Sequence, residues 1–381
     1  MSPRKTTEAI APELVTEGAR MASICNACRY CEGYCAVFPA LERRLEFAEG
    51  DLTYLANLCH NCGSCYYACQ YAPPHEFELN FPRMLAEIRG ASYRKYAWPD
   101  MLARLFERNG LVLSVATAAM LALFLLVVGY VAGGPSFFAA HADAEGAFYA
   151  VIPHAAMAWL FGMAFVLAIV PLGVGAVRFW RDTEERTRNF ASAVPLGEAL
   201  ADTLTLRYLG GGADGCTYPD ERPSQLRRAF HHFTFYGFML CFAATCVATV
   251  YHYVLHRPAP YPFASWPVVL GTLGGIGLLV GPAGLLWLKA ARDSALTSPK
   301  QTGMDIAFLV LLVLVSISGL LLLALRETAA MGTLLTVHLG TVMALFLTLP
   351  YGKFVHAVYR FAALVRYHLE RKRPLPEIGS E

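Results

Sequence analysis

The stretch CNACRYCEGYCAVFPALERRLEFAEGDLTYLANLCHNCGSCYYAC, residues 25–69, holds eight of the eleven cysteines of the chain. The cysteines form two tetrads of identical spacing, with two residues between the first three and three residues before the fourth. The first tetrad is Cys25, Cys28, Cys31 and Cys35, and the second is Cys59, Cys62, Cys65 and Cys69. This spacing is typical of iron–sulfur ligation, in which the fourth cysteine of each run ligates the other cluster.

The crossed pattern predicts two [4Fe–4S] clusters and assigns four thiolates to each. The first cluster takes Cys25, Cys28, Cys31 and Cys69. The second cluster takes Cys59, Cys62, Cys65 and Cys35. Zinc is the alternative, but a zinc site rarely uses three cysteines at successive two-residue gaps. A disulfide framework belongs to oxidising compartments, whereas the charge pattern described below predicts a cytoplasmic location.

The composition of the chain is that of a membrane protein. Of 381 residues, 56% are hydrophobic and 16% are charged, and the mean hydropathy is +0.42. Soluble domains carry about a quarter charged residues. The net charge of +2 hides a concentration of polar residues in the first 110 positions, one central loop and the tail. The polar N-terminus has no apolar core region, so we expect no cleavable signal peptide.

The connector between the tetrads has a helical pattern. Leu41, Leu45, Leu52, Leu55 and Leu58 recur at gaps of three or four residues, apart from one longer step. This pattern predicts one or two amphipathic helices between the cluster loops. It favours an α-helical ferredoxin over the strand-rich bacterial kind.

Six apolar stretches follow, each near the roughly 20 residues that cross the hydrocarbon core of a bilayer. They are residues 110–132, 149–177, 230–254, 266–288, 304–325 and 332–351. The segments after the first, third and fifth stretches hold only Arg257 and Arg326, and the other 29 of the 31 Lys and Arg residues lie elsewhere. The positive-inside rule therefore predicts that both termini face the cytoplasm.

Histidines at the ends of two apolar stretches predict haem ligands. His338 and His356 are eighteen residues apart, five helical turns, and share one helix face about 27 Å apart. Relative to His252, His231 is about 60° and His232 about 200° out of alignment, which favours His231 and leaves His232 as the alternative. Because the third and sixth stretches run antiparallel, His231 would meet His356 at the cytoplasmic side and His252 would meet His338 at the outer side.

These pairs predict bis-histidine haem b, with two haems or one, because the outer pair could be structural. The alternative is that the histidines pack at the interface with their polar tips in water. We expect His154 to have no obvious partner. His60, inside the second tetrad, is expected at the surface or behind the cysteine ligands.

The sequence thus predicts an all-α chain of two domains. Residues 1–95 form a cytoplasmic α-helical ferredoxin-like domain with two [4Fe–4S] sites, and residues 96–381 form a six-helix transmembrane haem-b bundle. Residues 178–229 are the largest cytoplasmic loop of the bundle. Their GGGADGC motif, residues 210–216, lacks the surroundings of a phosphate-binding loop. We expect a flexible contact loop with Cys216 as a free thiol, and a docking or quinone-proximal role is the alternative.

Three features together resemble the tricarballylate/citrate-utilisation protein B family over nearly the whole chain. They are the two tetrads, LRYLGGGADGCTYPDERPSQLRRAFHHFTFYGF (206–238) and LGTLGGIGLLVGPAGLLWLK (270–289). The membrane half also resembles, more distantly, the haem-b subunit of respiratory nitrate reductase, through HLGTVMALFLTLPYGKFVH (338–356). The resemblance implies a membrane iron–sulfur and haem subunit that reoxidises the flavin of a soluble FAD-dependent tricarballylate dehydrogenase and delivers electrons to the quinone pool.

From this resemblance we expect an electron-transfer protein in the bacterial inner membrane, with the dehydrogenase, the quinone pool and the lipid bilayer as partners. No catalytic triad, carboxylate pair or nucleotide fingerprint is apparent, and nothing predicts nucleic-acid binding. Electron flow in reverse, from quinol to a cytoplasmic reductase, is an alternative. A tricarboxylate transporter is an alternative of another class, although transporters tend to have broken helices with polar residues at the midplane. Redox sensing lacks an output domain.

Overall fold

The computed structural model describes residues 9–131, 137–140, 146–183, 187–212 and 216–374, and these residues are mostly helical. Within them, the one sheet is an antiparallel pair of two-residue strands, β1 (Cys216–Thr217) and β2 (Pro223–Ser224). The prediction of a mostly helical chain is confirmed.

The N-terminal region consists of five helices. They are α1 (Pro12–Cys28), α2 (Val37–Leu41), α3 (Glu49–Leu58), α4 (Ser64–Tyr67) and α5 (Phe81–Tyr96). The predicted helical connector between the tetrads is confirmed as α2 and α3. Leu41, Leu52, Leu55 and Leu58 are buried in the core, but Leu45 is 65% exposed because it lies in the turn between the two helices.

The remaining helices contain the six apolar stretches. They are α6 (Asn109–Val131), α7 (Ala147–Val151), α8 (His154–Asp182), α9 (Ala193–Leu204), α10 (Leu226–Tyr253), α11 (Trp266–Ala290), α12 (Pro299–Leu325), α13 (Met331–Thr348) and α14 (Val355–Arg371). Six of them, α6, α8, α10, α11, α12 and α13, are long and apolar enough to cross a membrane. The second span begins five residues later than predicted, because Pro153 separates it from the short helix α7. Their exposed faces are rich in large apolar side chains, consistent with a membrane protein.

The N-terminal region and the helical bundle share one hydrophobic core. Leu52 and Leu85 of the N-terminal helices belong to the same buried cluster as Phe179 near the end of α8 and Tyr359 of α14. Helix α14 follows the last apolar helix and is amphipathic, with its buried face against α3, α8 and α9. The predicted division at residue 95 stays a prediction, but the two parts are packed together and not joined by a free linker.

Glycines set the close approach of α10 and α11. A Cβ atom on Gly237 would lie 2.8 Å from the main-chain nitrogen of Leu278, and one on Gly281 would lie 2.5 Å from that of Thr234. Only glycine permits backbones this close, as in other small-residue helix interfaces within membranes. The glycine-rich stretch 270–289 therefore fixes the position of α10, the helix that carries His231.

Candidate functional site

The first predicted cysteine set lines one open cavity. Cys25, Cys28, Cys31 and Cys69 all face a cavity of about 260 Å³, together with Cys65 of the other set. Helix α1 supplies Cys25 and Cys28 from its last turn, and Cys69 follows the short helix α4. The fourth cysteine of the second tetrad therefore lies with the first three cysteines of the first tetrad, as the crossed pattern requires.

The second set shows the reciprocal arrangement. Cys35, the fourth cysteine of the first tetrad, is close enough to Cys59 and Cys62 for their thiols to interact electrostatically. Cys65 is within reach of the same three residues. Burial, followed by repulsion from these neighbouring thiols, raises the pKa of Cys35 and of Cys65 well above the usual range. Thiols in this position ionise readily only beside added positive charge, which is what iron would supply.

Across the residues that the structure describes, no group of three or more His, Cys, Asp or Glu side chains is close enough to hold one ion. The choice between clusters and zinc therefore rests on the cysteine spacing and stays a prediction.

Four arginines surround the main chain of the second tetrad, and we call them the arginine collar. They are Arg89 of α5, Arg227 of α10, Arg292 after α11 and Arg360 of α14. Arg89 Nη1 and Arg360 Nη2 both donate to the main-chain oxygen of Cys59, at 2.5 and 2.8 Å. Four separate elements thus direct positive charge at one cysteine loop.

The other two members of the arginine collar bind the next residues of that loop. Arg227 Nη2 donates to the main-chain oxygen of His60 at 2.8 Å. Arg292 Nη2 donates to Asn61 Oδ1 at 2.8 Å and to its main-chain oxygen at 3.1 Å. No sequence pattern predicts the collar, because its members are far apart in the chain and have no mutual spacing.

The long loop between α8 and α10 also contacts the second tetrad. The Cys216 thiol donates to the main-chain oxygen of Cys62 at 3.3 Å, and Thr217 Oγ1 donates to the same oxygen at 3.4 Å. A hydrogen bond from Cys216 is the largest of the effects that lower the pKa of the Cys62 thiol to about 5. Gly63, which follows Cys62, adopts a left-handed φ of 89°. A Cβ atom on it would lie 2.8 Å from the main-chain oxygen of Thr217 in β1.

Cys216 is unpaired, as predicted, but it is buried to 1% exposure against the tetrad and does not belong to a solvent-facing loop. Residues 213–215 of the GGGADGC motif lie outside the described residues, so its predicted flexibility stays a prediction there. No spacing signal connects Cys216 to the tetrads, which is why the contact was missed.

Two of the predicted haem ligands face each other. The imidazole rings of His231 on α10 and His356 on α14 are 6.2 Å apart, centre to centre. Two bonds of about 2 Å between a metal and imidazole nitrogens, plus the distance from each nitrogen to its ring centre, add up to about 6 Å. The rings therefore fit bis-histidine ligation of one iron.

The hydrogen bond of His356 also fits ligation. His356 Nδ1 donates to the main-chain oxygen of Lys353 at 2.6 Å, which leaves Nε2 deprotonated and available. A ligating histidine usually donates its other ring N–H in this way. His231 Nδ1 is buried and has no hydrogen-bond partner among the described residues.

His60 follows Cys59 within the second tetrad and is close enough to His231 for the two rings to interact electrostatically. Burial first, and then the charges of Arg360, Arg227 and His231, lower the pKa of His60 well below its usual range. The residue is half-buried and its Nδ1 is buried, which agrees with the expected position behind the cysteine ligands.

The predicted outer pair is not brought together by ring contact. His338 Nδ1 lies 3.1 Å from Ser318 Oγ on α12. His252 instead stacks on His154, with ring centres 3.6 Å apart and planes 18° apart. The expectation that His154 has no partner is therefore wrong, because helix-face arithmetic within α10 does not tell which neighbouring helix the face meets.

The alternative ligand His232 stacks on Tyr236 of its own helix, with ring centres 5.8 Å apart and planes 11° apart. The contact of His232 with a residue of its own helix agrees with the helix-face alignment, which favoured His231 over His232 as the haem ligand. The structure therefore brings together one predicted histidine pair, His231 and His356, beside the second cysteine set.

Comparison with known proteins extends these observations over nearly the whole chain. The sequence profile described as citrate utilization protein B matches residues 105–377, and that of its Fer4-like domain matches residues 18–95. A protein from Escherichia coli described as citrate utilization protein B is 52% identical over 365 residues, which cover 96% of this chain and 94% of the relative. No solved structure matches the chain. The Fer4-like domain is consistent with an iron–sulfur electron-transfer role.

Proposed function

Because the chain belongs to the citrate utilization protein B family, we propose that it is the membrane-bound electron carrier of a tricarboxylate oxidation system. In this proposal it reoxidises the reduced flavin of a soluble FAD-dependent tricarballylate dehydrogenase. Electrons then pass through two [4Fe–4S] clusters and haem b to the quinone pool. The observation that carries the proposal is the position of the His231–His356 pair directly behind the second cysteine set.

The polypeptide between these two sites is short. Cys59 is followed at once by His60, which is within electrostatic reach of His231. Arg227 donates to the main-chain oxygen of His60 and lies one helical turn before His231 on α10. A path of covalent bonds and one hydrogen bond therefore connects Cys59, a proposed cluster ligand, to His231, a proposed haem ligand, through His60 and Arg227.

The two cysteine sets differ in exposure, which supports an order of transfer. The cavity of the first set opens beside Tyr30, whose side chain is 68% exposed. The second set is enclosed by the arginine collar and by Cys216. We therefore assign the first set to accept electrons from the flavoprotein and the second set to pass them on to the histidine pair.

The residues around the second set have a specific electrostatic role. The clusters and haem supply one-electron redox chemistry, whereas the protein sets their geometry and potential. Positive charge near a cluster stabilises its more negative, reduced form. The arginine collar therefore raises the potential of the inner site relative to the outer one, which favours flow towards the membrane.

For haem b we propose one site, held by His231 and His356. The outer histidines have other neighbours, His154 and Ser318, so a second haem would require these contacts to be exchanged. Quinone reduction then takes place within the apolar bundle, from which a lipid-soluble acceptor is reached directly.

The proposed location is the bacterial inner membrane, with both termini on the cytoplasmic side. The distribution of Lys and Arg supports this orientation through the positive-inside rule, and the six apolar helices support a membrane location. The flavoprotein partner is then met in the cytoplasm by the N-terminal region.

The experiment is reduction of the purified protein by the partner dehydrogenase and tricarballylate, followed by optical and electron paramagnetic resonance spectroscopy. We expect about eight non-haem irons, a haem b spectrum, and haem reduction that is lost in Cys25→Ser. Unimpaired haem reduction in a Cys25→Ser protein that has lost its first cluster would contradict the order of transfer. Tricarboxylate uptake that depends on this protein, without any haem or iron, would support the transporter instead.

A further inference from the structure

A second cavity, of about 60 Å³, lies between the N-terminal region and the membrane bundle. Its charged lining residues are Arg89, Arg227, Lys289, Arg292, Lys353 and Asp305. Five cations thus face one carboxylate. Buried charges are normally paired, so a wall of this composition has a strong affinity for added negative charge.

The single carboxylate of the wall is already engaged by two of the cations. Asp305 Oδ2 lies 2.6 Å from Lys289 Nζ, and Oδ1 lies 2.7 Å from Lys353 Nζ. All three side chains are at most 20% exposed, so water screens this cluster poorly. Asp305 therefore pairs with the two lysines and not with the arginines.

The arginines of the wall have only neutral partners. Arg227 and Arg292 donate to the second tetrad loop and lie over the ring of Tyr218, 4.6 and 4.8 Å from its centre. No carboxylate of the described ranges forms an ion pair with either of them or with Arg89. Arg292 Nε is buried without a hydrogen-bond acceptor.

The cavity lies next to the proposed haem ligands. Arg227 precedes His231 by four residues on α10, so both side chains lie on one helix face. Lys353 precedes His356 by three residues, and its main-chain oxygen accepts the hydrogen bond from His356 Nδ1. Each proposed ligand thus has a cation of the cavity wall one turn away.

From this arrangement we propose that the cavity is a carboxylate site that receives the two propionates of the haem held by His231 and His356. The inference rests on the haem of the proposed function and adds the residues that anchor its polar edge. A cavity of this size has room for about four water-sized positions, which suits two carboxylate groups. Haem would then be oriented with its propionates towards the second cysteine set.

The test compares Arg292→Gln and Lys289→Gln with Arg228→Gln as a matched control. Arg228 is the half-buried neighbour of Arg227 and donates to the main-chain oxygen of Thr205, away from the cavity. Lys289→Gln is included because Lys289 bonds Asp305 and, among the described residues, forms no hydrogen bond with the cysteine loop. The readouts are the propionate bending band in resonance Raman spectra and the rate of haem loss to apomyoglobin.

We expect the propionate band to shift in Arg292→Gln and Lys289→Gln, and haem loss to become about tenfold faster, which is the loss of one charge-assisted hydrogen bond. Arg228→Gln should match the wild type in both readouts. If haem b is present and neither cavity variant changes either readout, the carboxylate site is overturned and the proposed function stands. If the wild type carries no haem b, both fall.

Citrate added to the wild type distinguishes haem propionates from a free carboxylate with the same chemistry. We expect no change in the Raman band or in haem loss, because the propionates fill the site. A citrate-dependent spectral change that disappears in Arg292→Gln would overturn the inference and assign the cavity to a soluble carboxylate.

Discussion

Arg89 and Arg360 donate hydrogen bonds to the same atom, the main-chain oxygen of Cys59. The two guanidinium groups approach from α5 and α14, which are far apart in the chain. Burial first, and then the charge of Arg89, lower the pKa of Arg360 to about 10. Two guanidinium charges that bind one oxygen atom repel each other, so negative charge added beside them is stabilised. Reduction of an iron–sulfur cluster adds such a charge.

We therefore expect Arg360→Gln to lower the midpoint potential of the second cluster by about 60 mV, equivalent to about 1.4 kcal/mol for one electron. The glutamine keeps a donor for Cys59 but removes the charge. Redox titration followed by electron paramagnetic resonance measures the shift. Arg83→Gln is the matched control on α5, because Arg83 is exposed and pairs with Glu87. A shift of equal size in both variants would show that the effect is not specific to the arginine collar.

Cys216→Ala should also lower the potential of the second cluster, by a smaller amount, because it removes the thiol that lies beside Cys62. The iron content should stay at the wild-type value, since Cys216 belongs to neither cysteine set. Cys246→Ala is the control, because Cys246 is exposed on α10. Loss of about half the iron in Cys216→Ala would instead make Cys216 a cluster ligand.

Haem content separates the two histidine pairs. His231→Ala and His356→Ala should each abolish the haem b spectrum, since one imidazole alone cannot complete bis-histidine ligation. His252→Ala and His338→Ala should retain it. Haem is measured as the pyridine haemochromogen per mole of protein. Loss of half the haem in His338→Ala would instead support a second haem at the outer pair, His252 and His338, as the sequence predicted.

A buried ion pair joins the N-terminal region to α14. Arg44 Nη2 lies 2.5 Å from Glu370 Oε1, with side-chain exposures of 8% and 9%, and Tyr54 donates to Glu370 at 3.1 Å. Glu370→Gln leaves the buried Arg44 charge with less compensation, so we expect a loss of about 3 kcal/mol in stability. Thermal unfolding and limited proteolysis of α14 measure it.

The control for this pair is Lys372→Gln, in which an exposed contact with Glu198 is lost. An exposed pair contributes about 1 kcal/mol or less, so this variant should behave like the wild type. Equal stability of Glu370→Gln and Lys372→Gln would mean that the apolar core alone holds α14 in place.

Local patterns in the sequence were sufficient for the six long apolar helices and for the connector helices α2 and α3. The six apolar stretches were predicted to within a few residues, because hydropathy over about 20 residues is a local property. The connector helices followed from the spacing of Leu52, Leu55 and Leu58 in the same way. The family was recognised from motifs that occur in order along the chain.

Contacts between distant segments were not predictable in this way. The stacking of His252 on His154 depends on which helix neighbours α10, and spacing within one helix does not contain that information. Cys216 and Arg292 likewise reach the second tetrad through the tertiary fold. Their side chains carry no signal that separates them from any other buried cysteine or arginine.

The shared core of Leu52, Phe179 and Tyr359 bears on how fast the chain can work. Some redox proteins carry their cofactor on a swinging arm, and their turnover then depends on how often the arm reaches its target. Here the helices that carry the cysteine sets share this core with α8 and α14, so we expect no hinge motion between one electron and the next. Internal transfer should therefore be insensitive to solvent viscosity, and only the encounter with the soluble donor should slow as the medium thickens.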